Sequence, residues 1–164
     1  SEMCIRDRFQ LMFEGFDRPE DRPHTLSWLW TQFAAGFAVM LPMIWLFGQW
    51  GLESLVVIPI LINVIGDGLA EPVGVRFGKY QYKTKALFTN KEYFRTLEGS
   101  ACVLISGFIV IAMHADYFTT IQFTLAMLFV PIIMTLTEAY SPHTWDTPFL
   151  MFTGYVSLLL IMQF

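Results

Sequence analysis

Charged residues are scarce in this sequence. Asp, Glu, Lys and Arg make up 15% of the 164 residues, hydrophobic residues make up 55%, and the mean hydropathy is +0.51. A soluble globular domain carries about 25% charged residues. The shortage of charge excludes an ordinary soluble domain and predicts a chain that crosses a membrane several times.

Basic residues are confined to the first part of the chain. No Lys or Arg follows Arg95, and six of the ten lie between Arg76 and Arg95. This basic run is short and lies between apolar segments, so nucleic-acid binding is not expected. By the positive-inside rule, the run is predicted to face the cytoplasm.

Cysteine is nearly absent as well. The two cysteines, Cys4 and Cys102, cannot form a disulfide framework. Cys4 lies in SEMCIRDR, residues 1–8, which resembles the translation of a sequencing adapter and is therefore left out of the fold prediction. We accordingly expect further helices of the protein upstream, and residues 9–24 are predicted to be a polar cytoplasmic lead-in.

The apolar segments predict an all-α fold, a polytopic membrane helix bundle with about five transmembrane helices in residues 25–164. The predicted spans are 25–50, 55–75, 99–115, 119–137 and 148–164. Two polar loops, 76–98 and 138–147, separate them. Counting spans places both loops on the cytoplasmic side, so a single shared site at that membrane face is predicted.

Two carboxylates stand at the end of the second predicted helix. Asp67 and Glu71 are four residues apart and therefore lie on one helix face. Acidic residues near a membrane are usually functional or paired. Two carboxylates suit Mg²⁺ that also binds phosphate oxygens and water. The alternative is an interfacial pair bound to Arg76 or Lys79.

The loop that follows contains groups suited to the phosphates of a nucleotide. Basic side chains bind phosphate, and glycines let the backbone approach a ligand closely. The basic residues can instead determine topology only, the glycines can end helices, and Glu98 can stabilise a helix start. The candidate phosphate-binding residues are Gly66, Gly74, Arg76, Gly78, Lys79, Arg95, Glu98 and Gly99.

A second acidic pair lies in the later polar loop. Glu138 and Asp146 can complete a metal site or act as general base to an alcohol. The alternative is two solvated loop charges. His143 lies between them without a second histidine or cysteine nearby, so a zinc site is not indicated.

Three segments together resemble the CTP-dependent polyprenol kinases, the dolichol kinase and phytol kinase group, which is related to phosphatidate cytidylyltransferases. These segments are GDGLAEPVGVRFGK at 66–79, RTLEGS at 95–100 and EAYSPHTWDTP at 138–148. The resemblance implies a membrane enzyme that transfers the γ-phosphate of CTP to an isoprenoid or other lipid alcohol with Mg²⁺. The matching positions are Gly66, Asp67, Ala70, Gly74, Phe77, Gly78, Lys79, Arg95, Thr96, Glu98, Gly99, Glu138, Asp146 and Pro148.

The chain departs from the family pattern at two positions. Arg95 stands where the family usually has Lys, and Thr147 stands where Asn commonly follows Asp146. Both departures bear on the choice of nucleotide and lipid more than on the reaction class.

The expected roles follow from the resemblance. Asp67, Glu71 and Asp146 are expected to hold Mg²⁺, while Asp67, Glu138 and Asp146 are the candidate catalytic residues. The first alternative function is synthesis of a CDP-lipid by attack on the α-phosphate. A second alternative is a transporter or a non-catalytic membrane protein.

Overall fold

The computed structural model describes residues 25–85, 92–142 and 145–164. The predictions for residues 1–8 and 9–24 lie outside the described residues. The described chain is mostly helical, as predicted. Its helices are α1 (Thr25–Gln49), α2 (Val57–Leu61), α3 (Gly68–Phe77), α4 (Leu97–Met113), α5 (Thr120–Tyr140) and α6 (Asp146–Ile161), and its strands are β1 (Gln81–Lys85) and β2 (Glu92–Thr96).

The second predicted helix is continuous from Glu53 to Phe77, although its winding changes three times. It opens with a 3₁₀ turn at Glu53–Leu55 and passes through α2, a π-helical segment at Ile62–Asp67, and α3. The turn that precedes it contains Gly51 with φ of +68°, a conformation that glycine adopts without a steric cost.

The π-helical segment lies directly before the second half of the long helix and packs against α4. Within it, a Cβ on Gly66 would lie 2.8 Å from Cα of Val103 and would also overlap the Ser106 hydroxyl. Only glycine allows the two backbones to come this close. π-Helical turns are rare and frequently occur at functional sites, and this one ends at Asp67.

Helix α4 is the centre of the bundle. It packs against α3 and the π-helical segment on one side and α5 on the other, while α6 packs against α5 and α1. A Cβ on Gly107 of α4 would lie 2.9 Å from Cβ of Pro131, so this glycine sets the spacing of α4 and α5. The core side chains include Phe47 and Tyr155, whose rings meet edge to face at 5.3 Å.

Three helical segments of the described chain are long and apolar enough to cross a membrane: Leu26–Gln49, Glu53–Phe77 and Thr120–Tyr140. The two others, α4 and α6, are apolar but have 17 and 16 residues. The predicted positions of all five helices are therefore confirmed. Five membrane-spanning helices were predicted, and three of them are long and apolar enough to cross a membrane.

The polar segment 76–98, predicted as a loop, contains a β-hairpin instead. Strands β1 and β2 pair antiparallel, with Tyr82 opposite Arg95 and Lys83 opposite Phe94. Tyr, Phe and Thr recur along QYKTK and EYFRT, and these residues favour strands. Lys83, Lys85 and Arg95 therefore lie on a two-stranded sheet and not in an irregular loop.

The second polar segment is shorter than predicted. Helix α5 continues to Tyr140 and α6 begins at Asp146, so Glu138 lies in the last turn of α5. The predicted loop of 138–147 is wrong at both ends, because the helices continue through residues that were assigned to it by polarity alone. His143 and Thr144 lie outside the described residues.

Candidate functional site

Arg95 joins the two polar segments. It lies on β2, and its guanidinium contacts carboxylates from two helices: Nη1 lies 3.1 Å from Oε1 of Glu138, and Nη2 lies 3.0 Å from Oδ2 of Asp146. The three side chains are mostly buried, with exposed fractions of 11% for Arg95, 5% for Glu138 and 16% for Asp146. We call Arg95, Glu138 and Asp146 the ion triad.

Every carboxylate oxygen of the ion triad accepts a hydrogen bond. Oε2 of Glu138 accepts from the Ser100 hydroxyl at 2.7 Å. Oδ1 of Asp146 accepts from the backbone N–H of Thr147 at 3.1 Å and from Nε2 of Gln32 at 3.4 Å. The other two oxygens accept from Arg95.

Arg95 has a further polar contact and a shifted pKa. Its Nη1 also donates to the Ser141 hydroxyl at 3.3 Å. Burial alone would lower the pKa of Arg95, but the charges of Asp146 and Glu138 outweigh it and raise the pKa above its ordinary value. The guanidinium therefore stays protonated, and one positive charge faces two negative charges.

A chain of hydroxyl groups connects the hairpin to Glu138. The Tyr82 hydroxyl lies 2.7 Å from the Ser100 hydroxyl, which in turn donates to Glu138. Burial raises the pKa of the Tyr82 phenol, and the negative charge of Glu138 adds to that effect against the opposing hydrogen bond with Ser100. Tyr82 therefore remains a neutral hydrogen-bonding group at physiological pH.

These contacts change the expected roles of Arg95 and Glu138. The guanidinium donates to carboxylates and to Ser141, so it does not face an open anion site. Glu138 is buried, and both of its oxygens accept hydrogen bonds from donors within the cluster. The geometry fits a structural, positioning role for these two residues better than phosphate binding and proton abstraction.

Glu98 was predicted among the phosphate-binding residues, and its contacts point to another role. Its carboxylate accepts the backbone N–H of Lys79 at 2.9 Å and that of Tyr80 at 3.5 Å. A carboxylate is an acceptor with negative charge, so it binds N–H groups and repels phosphate. Glu98 fixes the start of the hairpin, while Thr96 caps α4 by accepting the N–H of Gly99 at 3.1 Å.

The predicted phosphate-binding glycines lie against protein atoms. A Cβ on Gly74 would lie 2.7 Å from Oγ1 of Thr96, and one on Gly78 would overlap the same side chain. A Cβ on Gly99 would lie 2.7 Å from the carbonyl oxygen of Ala70. Gly66, Gly74, Gly78 and Gly99 are closely approached by atoms of the protein itself, whereas their predicted approach to a phosphate stays a prediction.

A buried amide oxygen precedes the first carboxylate pair in the same long helix. Asn63 is buried in the π-helical segment, four residues before Asp67, and its Oδ1 has no hydrogen-bond partner. Asp67 is half-buried and Glu71 is exposed, so this face passes from the bundle interior to its surface. The four-residue spacing of these side chains was readable in the sequence, but Asn63 alone gave no reason to single it out.

The predicted three-carboxylate metal set does not form. Among residues 25–85, 92–142 and 145–164, no three His, Cys, Asp or Glu side chains lie close enough to hold one ion. Asp146 instead pairs with Arg95. The donor set of Asn63, Asp67 and Glu71 still fits a Mg²⁺ ion that takes its other ligands from phosphate and water, because such sites use one or two carboxylates.

Two predicted phosphate-binding side chains are available at the surface. Arg76 and Lys79 are exposed, and the Arg76 guanidinium lies 5.6 Å from the centre of the Phe77 ring. Arg76 lies in the last turn of α3, and Lys79 lies two residues after the end of this helix.

The parts of the site are contiguous. Ala70 lies between Asp67 and Glu71 in sequence, and its carbonyl oxygen packs against Gly99. The neighbour of Gly99, Ser100, donates to Glu138 in the ion triad. The segment that carries Asp67 and Glu71 and the ion triad therefore both contact the first turn of α4.

Several contributors could not be identified from the sequence. Tyr82 and Gln32 lie outside the segments that resemble the kinase family, and although Ser100 and Thr147 lie inside them, only the contacts at and around the ion triad give these four residues a role. Gln32 gave the sole hint, since a glutamine inside an apolar span has to find a polar partner.

Comparison of the chain with family models, with curated proteins and with solved structures finds no significant match.

Proposed function

We propose that this protein is an integral-membrane phosphotransferase that moves the γ-phosphate of CTP, or of another nucleoside triphosphate, to a lipid alcohol such as an isoprenoid alcohol. The observation that carries the proposal is the ion triad, through which Arg95 joins two polar segments that lie between apolar helices. Two of the three segments that resemble polyprenol kinases, 95–100 and 138–148, meet in this cluster, and the third, 66–79, packs against Gly99. The helix lengths support a membrane location.

We assign nucleotide binding to the side of α4 that packs against α3. Arg76 and Lys79 are exposed cations that can bind phosphate oxygens as the triphosphate approaches from water. Asn63, Asp67 and Glu71 would hold Mg²⁺, which neutralises the charge that develops on the transferred phosphate. Positioning and charge neutralisation are the main requirements of phosphoryl transfer, so these side chains suffice for that half of the reaction.

We assign to Asp146 the binding and deprotonation of the hydroxyl group of the lipid alcohol. Both oxygens of Asp146 accept hydrogen bonds, as those of Glu138 do, but Asp146 is the more exposed of the two, 16% against 5%, so a hydroxyl reaches it more readily. The alcohol oxygen forms a bond to the γ-phosphorus, the bond from that phosphorus to the β-phosphate oxygen breaks, and the hydroxyl proton passes to Asp146. Arg95 and Glu138 fix the orientation of Asp146 during this step.

We place the site at the cytoplasmic leaflet. Residues 76–95 contain six of the ten basic residues of the chain, and such runs stay in the cytoplasm. A cytoplasmic site also has access to soluble nucleotide.

The test uses membranes that contain the protein, with Mg²⁺, a polyprenol and phosphatidate mixture, and CTP labelled with ³²P at either the γ- or the α-phosphate. Label transferred to lipid from the γ-position only is the expected result. The variant Asp67→Asn removes one charge from the proposed metal face and is expected to lower transfer at least about 100-fold, since it acts on transition-state charge. Asp116→Asn is the matched control, because Asp116 is exposed in the turn after the other end of α4.

Each other outcome has a defined meaning. Transfer of the α-label with release of pyrophosphate would show a cytidylyltransferase and overturn the kinase assignment. Absence of transfer from CTP, ATP and GTP in membranes that contain folded protein would favour a non-catalytic membrane protein, in which the ion triad only holds the hairpin against the bundle.

A further inference from the structure

An apolar groove runs along the seam between α1 and α6, outside the residues assigned so far. It has a volume of about 350 Å³ and is lined by Ala35, Ala38, Val39, Trp145, Pro148, Phe149 and Phe152. This volume lies at the lower end of the range for small-ligand pockets, about 300–1,000 Å³.

The groove owes its shape to residue size. Alanines on α1 leave space, whereas aromatic rings on α6 form the opposite wall. Phe149 and Phe152 remain 42% and 47% exposed, so these rings do not fill the groove. The two helices meet beside the groove at Gly36, where a Cβ would lie in ordinary van der Waals contact, 3.8 Å from the Thr147 methyl group.

One end of the groove meets the ion triad. The lining residues Trp145 and Pro148 directly flank Asp146 and Thr147 in sequence. From the α1 side, Gln32 lies one turn before Ala35 and donates to Oγ1 of Thr147 at 3.0 Å and to Asp146 at 3.4 Å. The apolar groove therefore leads to a small set of hydroxyl, amide and carboxylate groups.

We propose that this groove binds the hydrocarbon chain of the lipid alcohol, with the hydroxyl end directed to Asp146 and Thr147. The proposal rests on the function proposed above. A molecule with a long apolar chain and one terminal hydroxyl matches both parts of the surface, whereas a bulk phospholipid would place a charged phosphate against the Asp146 carboxylate. The occupant is therefore a neutral single-headed lipid with a chain that starts at the Trp145 end of the groove.

The first experiment is photolabelling, which does not depend on catalysis. Membranes with the protein are irradiated with a prenyl alcohol that carries a diazirine in its chain, and the labelled peptides are identified by mass spectrometry. We expect label on residues 35–39 and 145–152, and we expect unlabelled prenyl alcohol to compete it away. Label spread over outward residues of α1 beyond this range, such as Phe33 and Trp45, without competition, would mean contact with bulk lipid and would overturn the proposal.

A matched pair of variants sharpens the test. Ala35→Phe places a ring in the groove and is expected to lower labelling about tenfold, and to raise KM for long-chain alcohols with little change in kcat. Ala34→Phe adds the same ring to the neighbouring exposed position, which does not line the groove, and is expected to behave as the parent. Equal effects of the two variants would contradict a groove-specific role.

The two proposals fail in different ways. Competable labelling of the groove without phosphate transfer would retain the lipid site and remove the kinase function. Phosphate transfer that Ala35→Phe leaves unchanged, with no label in the groove, would retain the kinase function and remove this lipid site.

Discussion

Nη2 of Arg95 lies 3.0 Å from Oδ2 of Asp146, and this contact joins a hairpin strand to the first residue of α6. The same guanidinium reaches Glu138 at the end of α5. A single side chain thus holds the hairpin against two helices. Its removal leaves two mostly buried carboxylates without their cation.

Arg95→Met is therefore expected to lower the free energy of unfolding by about 3–5 kcal/mol, as happens when one partner of a buried ion pair is removed. Equilibrium unfolding in detergent micelles provides the measurement. Arg76→Met removes an exposed cation and is expected to change that free energy by about 0.5 kcal/mol or less. A triple variant with Glu138→Gln and Asp146→Asn added should recover part of the loss, and a loss below about 1 kcal/mol for Arg95→Met alone would contradict a buried triad.

Gly99→Ala is expected to destabilise the protein by about 1–3 kcal/mol, because the added methyl group would press on the Ala70 carbonyl oxygen at 2.7 Å. Gly68→Ala is the matched control, since a Cβ there meets nothing within 4 Å and helix propensity should add up to about 1 kcal/mol of stability. Thermal unfolding of the two variants compares them directly. If both variants changed stability in the same direction, close packing of α3 on α4 would not be the reason for a glycine at position 99.

Ionisation of Tyr82 in the hairpin is expected to lower the free energy of unfolding at high pH. Burial raises the pKa of its phenol above 10.0, so the folded protein holds this proton more tightly than the unfolded chain does. The associated stability is present below about pH 10 and is lost as pH rises through the folded pKa. The free energy of unfolding, measured between pH 8 and 11.5, should fall less steeply in Tyr82→Phe than in the parent.

Tyr80→Phe serves as control for that experiment, because Tyr80 is exposed at the start of the same hairpin. Parent and Tyr82→Phe curves of equal slope would show that the phenol is solvated in the folded protein.

Cysteine accessibility tests whether α4 crosses the membrane. With Cys4 and Cys102 replaced by alanine, single cysteines at positions 80 and 116 lie beyond the two ends of α4. A membrane-impermeant maleimide added to sealed vesicles is expected to label these two positions from opposite sides, with position 80 on the cytoplasmic side. Permeabilised vesicles, in which both should react, provide the control, and labelling of both from one side would show that α4 does not span.

The helices were predictable because their signal is local. The apolar run from residue 25 to residue 50 gave α1 to within one residue of its observed end at Gln49. The hairpin was missed because strands of five residues have a weak pattern, and their pairing is a contact between separate parts of the sequence. Polarity alone had marked this segment as a loop.

The site was predictable only as a set of residues. Glu138, Asp146 and Arg95 were each identified from their residue type, but no local pattern indicates that they form one cluster. The glycines gave a similar result, since a missing Cβ predicts close approach without naming the partner. Asn63 and Ser100 became visible only when burial and contacts were known.

If α4 and α6 cross the membrane as proposed, their short length exposes the ion triad to the influence of the lipid environment. At 17 and 16 residues they measure about 24–26 Å along their axes, against about 30 Å for a typical hydrocarbon core. Such hydrophobic mismatch is relieved by local thinning of the bilayer or by tilt, at a modest cost for each ångström. Both helices begin next to Arg95, so on the proposal that they cross the membrane we expect its thickness to act on the geometry of the ion triad, with thinner membranes matching it better.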